Sequence, residues 1–208
     1  MANPKSAYSV STKKEKTDTH IIVVWVDNEA GVLARVVGLF SGRGYNIESL
    51  AVAEVDAKKN ISRITIVTTG TPQVIDQIKL QLKKLVPVHK VADFKRNDKS
   101  VIFKEMALFK FVGNTNKIKR AVNACKKYNV VILDKTKKSN VIQITALRRE
   151  IDIMTKNLKK FGLVSVSRTG AVAMTRGAHG HAAAGAFHRK FRALAQLHHV
   201  HPHVGGGV

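Results

Sequence analysis

Apolar residues run without a break from Ile21 to Val26 and stop at the polar pair Asp27 and Asn28. A β-branched run of this kind predicts a strand, His20 to Val26, buried on both faces. Gly31 follows, and apolar positions then recur at helical spacing at Leu33, Val36, Val37 and Phe40. They predict a helix from about Gly31 to Arg43 with that stripe turned inward. Ser41-Gly42-Arg43-Gly44 ends it, because glycine accepts the left-handed backbone that a helix terminus needs. Tyr45 to Val55 reads as a second strand, Asp56 to Asn60 as a polar hairpin turn, and Ile61 to Thr68 as a third strand. In that strand Ile64 and Ile66 face one way, and Arg63, Thr65 and Val67 the other. Thr71 as N-cap and Pro72 in the first turn start a second helix with Ile75, Ile78, Leu82 and Leu85 inward. Val88 to Phe94 is a fourth strand.

Lys95 to Ser100 is a charged break, after which the same order returns. Val101 to Val112 is a strand. Gly113-Asn114-Thr115-Asn116 caps a helix that turns Ile118, Ala121, Val122, Cys125 and Tyr128 inward. Val130 to Asp134 and Val141 to Leu147 pair around a Lys- and Thr-rich turn. Glu150 to Phe161 is a helix with stripe Ile151, Met154, Leu158 and Phe161, stopped by Gly162, and Val164 to Val172 closes the sheet. Each half is βαββαβ, the split pattern of ferredoxin-like folds. The chain is therefore an α+β protein of two ferredoxin-like domains, residues 20–95 and 96–177, between a disordered leader at 1–19 and an extension at 178–208. Each core is small for a domain, and we expect the sheets to pair edge to edge across a homodimer, hiding their open edges.

Charge separates the two halves. Of the net +22 on 208 residues, residues 20–95 carry 10 Lys and Arg against 7 Asp and Glu, whereas 96–177 carry 19 against 5. A basic half fits nucleic acid, an acidic protein partner or a solvated lysine face. No helix-turn-helix is visible and no aromatic platform interleaves the lysines, which argues against nucleic acid. No apolar run approaches the ~18 residues of a membrane span, so no membrane partner is expected. The leader has no apolar core of a secretory signal, and the single Cys125 fits a reducing compartment. We expect a cytoplasmic protein. The extension holds seven of the nine histidines, from His179 to His203; such tracts either bind metal or are unstructured additions.

Catalytic groups are wanting. Cys125 lies on an inward stripe, and His20 and His89 stand alone in strands. Glu48 and Glu54, read on one strand, do not make an acid/base pair by spacing alone. No metal-ligand spacing occurs outside the extension, and S-G-R-G lacks the Lys-Ser/Thr of a phosphate loop. What remains is the start of the first helix, where amides without intrahelical partners attract a carboxylate. The amides of Val32 and Leu33 would hold the carboxylate of a small amino acid. The Asn28 oxygen would take its ammonium, and Leu33 and Ile47 would line a socket for a branched side chain. The competing reading is that Asp27 or Asn28 merely caps the helix and Gly31 merely permits the turn.

The run N-E-A-G-V-L-A-R-V-V-G-L-F-S-G-R-G-Y-N-I-E-S-L resembles the N-terminal ACT domain of acetolactate synthase regulatory (small) subunits, and the likeness extends from about Ile21 to Gly177. Members of that family end near Arg176-Gly177, so the extension is a departure from it. The resemblance implies a homodimer with a second α+β domain. Its effector, valine, would sit at the ACT dimer interface on Asn28, Gly31, Val32 and Leu33 of one chain and Asn46 and Ile47 of its mate. It also implies a regulatory subunit in branched-chain amino acid biosynthesis that activates a catalytic (large) subunit and makes it sensitive to valine. Thiamine diphosphate, Mg²⁺ and FAD would sit on that partner and no cofactor on this chain, which would not be catalytic by itself. The rival expectation is an ACT-domain regulator that binds nucleic acid in response to a ligand.

Overall fold

The computed structural model describes residues 16–177. The first domain runs β1 (Asp18–Asp27), α1 (Val32–Ser41), β2 (Ser49–Asp56), β3 (Ile61–Gly70), α2 (Pro72–Lys84) and β4 (Val88–Lys95). The second runs β5 (Val101–Val112), α3 (Thr115–Cys125), β6 (Val131–Lys135), β7 (Ser139–Ala146), α4 (Arg148–Leu158) and β8 (Leu163–Thr175). The sheets are antiparallel, with strand orders β2-β3-β1-β4 and β6-β7-β5-β8. This is the expected pair of ferredoxin-like repeats. Asp18 and Thr19, expected in the leader, instead extend β1 and pair with Gly70 and Thr69. The rest of the leader, 1–15, and the extension at 178–208 lie outside the described residues.

Local chemistry accounts for most boundaries. The Thr71 hydroxyl accepts from the Val74 amide at 3.4 Å and the Asn114 side chain from Lys117 at 2.8 Å, each satisfying an amide that helix geometry leaves open. At α4 the Glu150 carboxylate accepts from the Leu147 amide at 3.0 Å. After α4 a short 3-10 turn reaches Gly162 at φ +84°. A Cβ there would lie 2.4 Å from the Val112 carbonyl oxygen, so only glycine fits.

Two expectations change. The inward stripe of α1 is Val32, Val36, Leu39 and Phe40, while Leu33 is 41% exposed. V-L-A-R-V-V-G-L-F is apolar enough to satisfy two phasings, and contact with α2 and the sheet selects the one led by Val32. Tyr45 to Glu48 is not strand. The Tyr45 amide returns to Phe40 at 2.9 Å and the Thr68 hydroxyl donates to the Asn46 carbonyl at 2.7 Å. These bonds hold the segment as an irregular arm until β2 begins at Ser49, so Glu48 stands outside the strand that carries Glu54.

The first sheet is buried on both sides. On one face Ile22, Val24, Val26, Ile64 and Ile66 pack under α1 and α2. On the other, Ile21, Val23 and Val67 meet Val101, Ala171 and Ala173 of the second domain. Trp25 stands at that seam with the Arg63 guanidinium 5.1 Å and the Lys90 ammonium 5.0 Å from its ring centroid. Burial pulls both cations below their ordinary values. Arg63 donates to the Ala173 carbonyl, Arg148 Nη2 to the Glu48 carbonyl at 3.1 Å, and the Ala171 amide to the Ser49 hydroxyl at 3.3 Å. In the second domain Phe109, Phe111, Ile142 and Ile144 pack under α3 and α4. The buried Glu105 is held by both arms of Arg168 at 2.7 Å, and Arg168 also reaches Asp152 at 2.7 Å. Hydrogen bonding to Glu105 raises the guanidinium above its ordinary value.

Candidate functional site

Between β1 and α1 the chain makes a tight turn through Asn28 and Gly31. Gly31 is the helix N-cap at φ +82°, and no side chain caps the first turn. The two polar residues expected as caps are engaged elsewhere. Asp27 Oδ1 meets His89 Nε2 at 2.5 Å, and Asn28 Oδ1 accepts from the Ser62 hydroxyl at 3.0 Å. The Asn28 amide donates to the Asn60 carbonyl at 2.7 Å, which pins the turn to the end of β3. The capping reading of Asp27 and Asn28 is therefore not what the geometry displays. Asn28 is exposed, its oxygen has a further lone pair to offer, and its orientation is fixed by Ser62.

Gly31 is open on its outer side: a Cβ placed there would meet nothing within 4 Å. The Val32 amide donates to the Glu29 carbonyl at 3.3 Å, closing the turn, and the Val32 side chain is buried. Leu33 is half in solvent beside it. The corner thus combines an amide end of a helix, an oriented amide side chain and one exposed apolar side chain.

Asn46 and Ile47 lie far from this corner in the same chain. Asn46 is fastened through Thr68 and Asn28 through Ser62. The stretch of β3 from Ser62 to Thr68 spans about 20 Å at ~3.4 Å per residue. The structure brings Asn28, Gly31, Val32 and Leu33 together and sets Asn46 and Ile47, the latter half-buried against the first core, at the opposite end of the sheet. Ser62, which orients the Asn28 side chain, and Thr68, which holds the Asn46 backbone, were not singled out from the sequence. A hydroxyl at the ladder position next to a polar turn was the available signal.

The other sequence candidates resolve simply. His20 Nδ1 meets Asp93 at 2.7 Å, so each of the two described histidines pairs with a carboxylate. Cys125 is fully buried, and its thiol is pushed up to about 11 by that burial. Among the described residues no cluster of His, Cys, Asp or Glu could hold a metal, and no helix is long and apolar enough to cross a membrane.

A family model described as an AHAS small subunit-like ACT domain matches residues 22–90, and one described as the small subunit of acetolactate synthase matches residues 104–177. The chain is 33% identical to the acetolactate synthase small subunit of Mycobacterium bovis over 162 residues, 78% of this chain and 95% of that one. It is 37% identical to the corresponding subunit of Aquifex aeolicus over 165 residues, 79% of this chain and 84% of that one. Among solved structures, the acetolactate synthase small subunit from Thermotoga maritima aligns with a TM-score of 0.68 at 30% identity, covering 76% of this chain and 98% of that one.

Proposed function

Because the chain belongs to the acetolactate synthase small-subunit family, we propose that it regulates an acetolactate synthase catalytic subunit and that its first domain is the receptor for a feedback effector, valine. The open corner at Gly31 carries this reading. The first-turn amides of α1, Leu33 foremost, hold the effector carboxylate, and Asn28, set by Ser62, takes the ammonium. Each charge-assisted bond contributes about 1.5–3 kcal/mol. Asn46 and Ile47 close the site from a second copy, since in one chain they stand about 20 Å away along β3. The open edge of β2, with Val52 and Val55 about half exposed, is the surface along which two copies meet. The chain acts through the cytoplasmic enzyme it binds, and the thiamine diphosphate, Mg²⁺ and FAD belong to that partner.

An effector bridging Asn28 of one copy and Asn46 of the next favours one arrangement of the pair. It shifts the equilibrium only by its differential affinity, typically ~1–3 kcal/mol or about 5–150-fold. The test is Gly31→Asp in enzyme reconstituted with the catalytic subunit. Aspartate tolerates the left-handed backbone better than most residues and puts a carboxylate where the effector's would sit. Valine inhibition is expected to weaken by about tenfold or more, with activation of the catalytic subunit retained. A variant that stays fully valine-sensitive places the receptor elsewhere.

A further inference from the structure

The second domain keeps an open strand edge of its own. β6 borders its sheet, and its Val131, Ile132 and Leu133 are 49%, 47% and 51% exposed. Three consecutive apolar residues half in water on an edge strand are a template for pairing unless something covers them. Leu133 sits at a bulge, between the Ile132–Ile142 and Asp134–Val141 pairs. Beside the strand runs a groove of about 200 Å³ against α3, lined by Ile118, Val122 and Ile132 and flanked by Lys119 and Lys135.

We propose that β6 and the α3 groove take up an extended, acid-flanked apolar segment of the catalytic subunit as a fifth strand. This rests on the regulatory-subunit reading above and names the surface by which the second domain serves it. The strand ladder supplies affinity and the groove selects alternate apolar side chains, as in strand addition generally. Five residues of β6 offer a ladder of about 17 Å. Charge decides the occupant. Lys119 and Lys135 flank the groove, and Lys126, Lys127, Lys137 and Lys138 are exposed on the adjoining turns. Residues 96–177 carry 19 cationic against 5 anionic side chains. A second copy of this chain brings the same lysines to the same edge, so like charge opposes self-pairing, while acidic residues on a different protein are drawn in.

The experiment compares full-length wild type with the double substitution Ile132→Asp, Lys135→Glu for binding to the purified catalytic subunit at several salt concentrations. Both positions are exposed, so the fold is expected to persist. Hydrogen exchange on the wild-type complex supplies a readout that needs no variant. The expected result is a Kd raised by about tenfold or more, a shallower salt dependence, and slowed exchange of the 131–135 amides on complex formation. Wild-type affinity in the double variant, or unchanged exchange at 131–135 while other segments slow, overturns the surface. Loss of self-association in the variant, with catalytic-subunit binding intact, assigns β6 to a second copy and likewise overturns it. Failure of the wild-type chain to bind the catalytic subunit at all defeats the regulatory reading itself, a result distinct from the other three.

Discussion

In the first domain the central strand β1 is buried without a break from His20 to Val24, whereas its counterpart β5 alternates from Glu105 to Val112 between buried positions and half-buried or exposed ones. The topology is the same, so the difference is one of coverage. β1 has helices over one face and the second domain over the other, with Ala171 and Ala173 of β8 seated on Ile21, Val23 and Val67. β5 has α3 and α4 over Ala107, Phe109 and Phe111, and Met106 and Leu108 on its other face are only half-buried. A sheet closed on both faces is a stable frame on which a small receptor corner can be held still. A sheet closed on one face keeps surface for another protein. That difference in coverage fits the two proposals above, a receptor corner on the first half and a contact edge on the second.

Removing the core of the second half is the harshest way to test how far the halves depend on one another. Phe109 is fully buried, and Phe109→Ala is expected to cost about 3–5 kcal/mol through lost burial and the cavity left behind. Trp25, the single tryptophan, reports from the first domain at the seam. If the shared cluster couples the halves, the Trp25 fluorescence transition falls in temperature together with the loss of far-ultraviolet dichroism. A Trp25 transition that stays at the wild-type temperature while the dichroism transition falls makes the halves independent, and the seam a contact of little energy.

The seam itself can be probed more gently by comparing a glycine that lies at it with one of nearly the same backbone that lies away from it. Gly170 lies at φ +83°, and a Cβ there would stand 3.0 Å from the Ser49 hydroxyl and 3.1 Å from the Leu50 carbonyl. Gly31 lies at φ +82° with nothing within 4 Å. Alanine at either position bears the left-handed backbone cost of about 1 kcal/mol. Only Gly170→Ala must also push β2 from β8. It is therefore expected to lose about 2 kcal/mol in denaturant unfolding, against about 1 for Gly31→Ala. Equal losses would mean that the two sheets do not bear on each other at that point.

Much of this architecture was legible in the chain because period and punctuation agreed. β5 was read at Val101 to Val112, where it stands, and the Thr71-Pro72 and Asn114 caps lie where their chemistry puts them. The unbroken apolar run of β1 announced a strand covered twice. It could not say by what, since its second cover comes from a strand some 150 residues further on. The end of β8 beyond Val172 escaped notice for the same reason: Ala173 is a poor strand former and is held as strand by the seam. The phase of α1 was misread because Leu33 and Val37 are as apolar as the residues that turn inward. At the candidate site, Gly31 and Asn28 were visible as a glycine and an amide at a strand-to-helix turn. The distance from Asn28 to Asn46 was not, because it follows from which end of β3 each one is tied to.

The smallest expected effect separates the two hairpin turns that match each other in the repeat. The β2–β3 turn is closed by a carboxylate: Asp56 accepts from the Lys59 amide at 3.1 Å and pairs with the Lys59 ammonium at 3.1 Å. The Lys59 hydrogen bond above all holds Asp56 below its ordinary 3.8. The β6–β7 turn is closed by hydroxyls: Thr136 Oγ1 accepts from the Ser139 amide at 2.9 Å and the Lys138 amide at 3.3 Å. A carboxylate whose value is depressed by folding contributes fully above 3.8, and its contribution is lost as pH falls through the lower folded value. A hydroxyl has no such dependence. Amide exchange, corrected for intrinsic rates, should therefore show protection at Lys59 falling as the solution is acidified below 3.8, with protection at Ser139 level over the same range. Asp56→Asn should flatten the Lys59 profile, since the amide oxygen still accepts from Lys59 but does not titrate. Parallel acid profiles at the two turns in the wild-type protein would trace the sensitivity to the domains as wholes rather than to this one side chain.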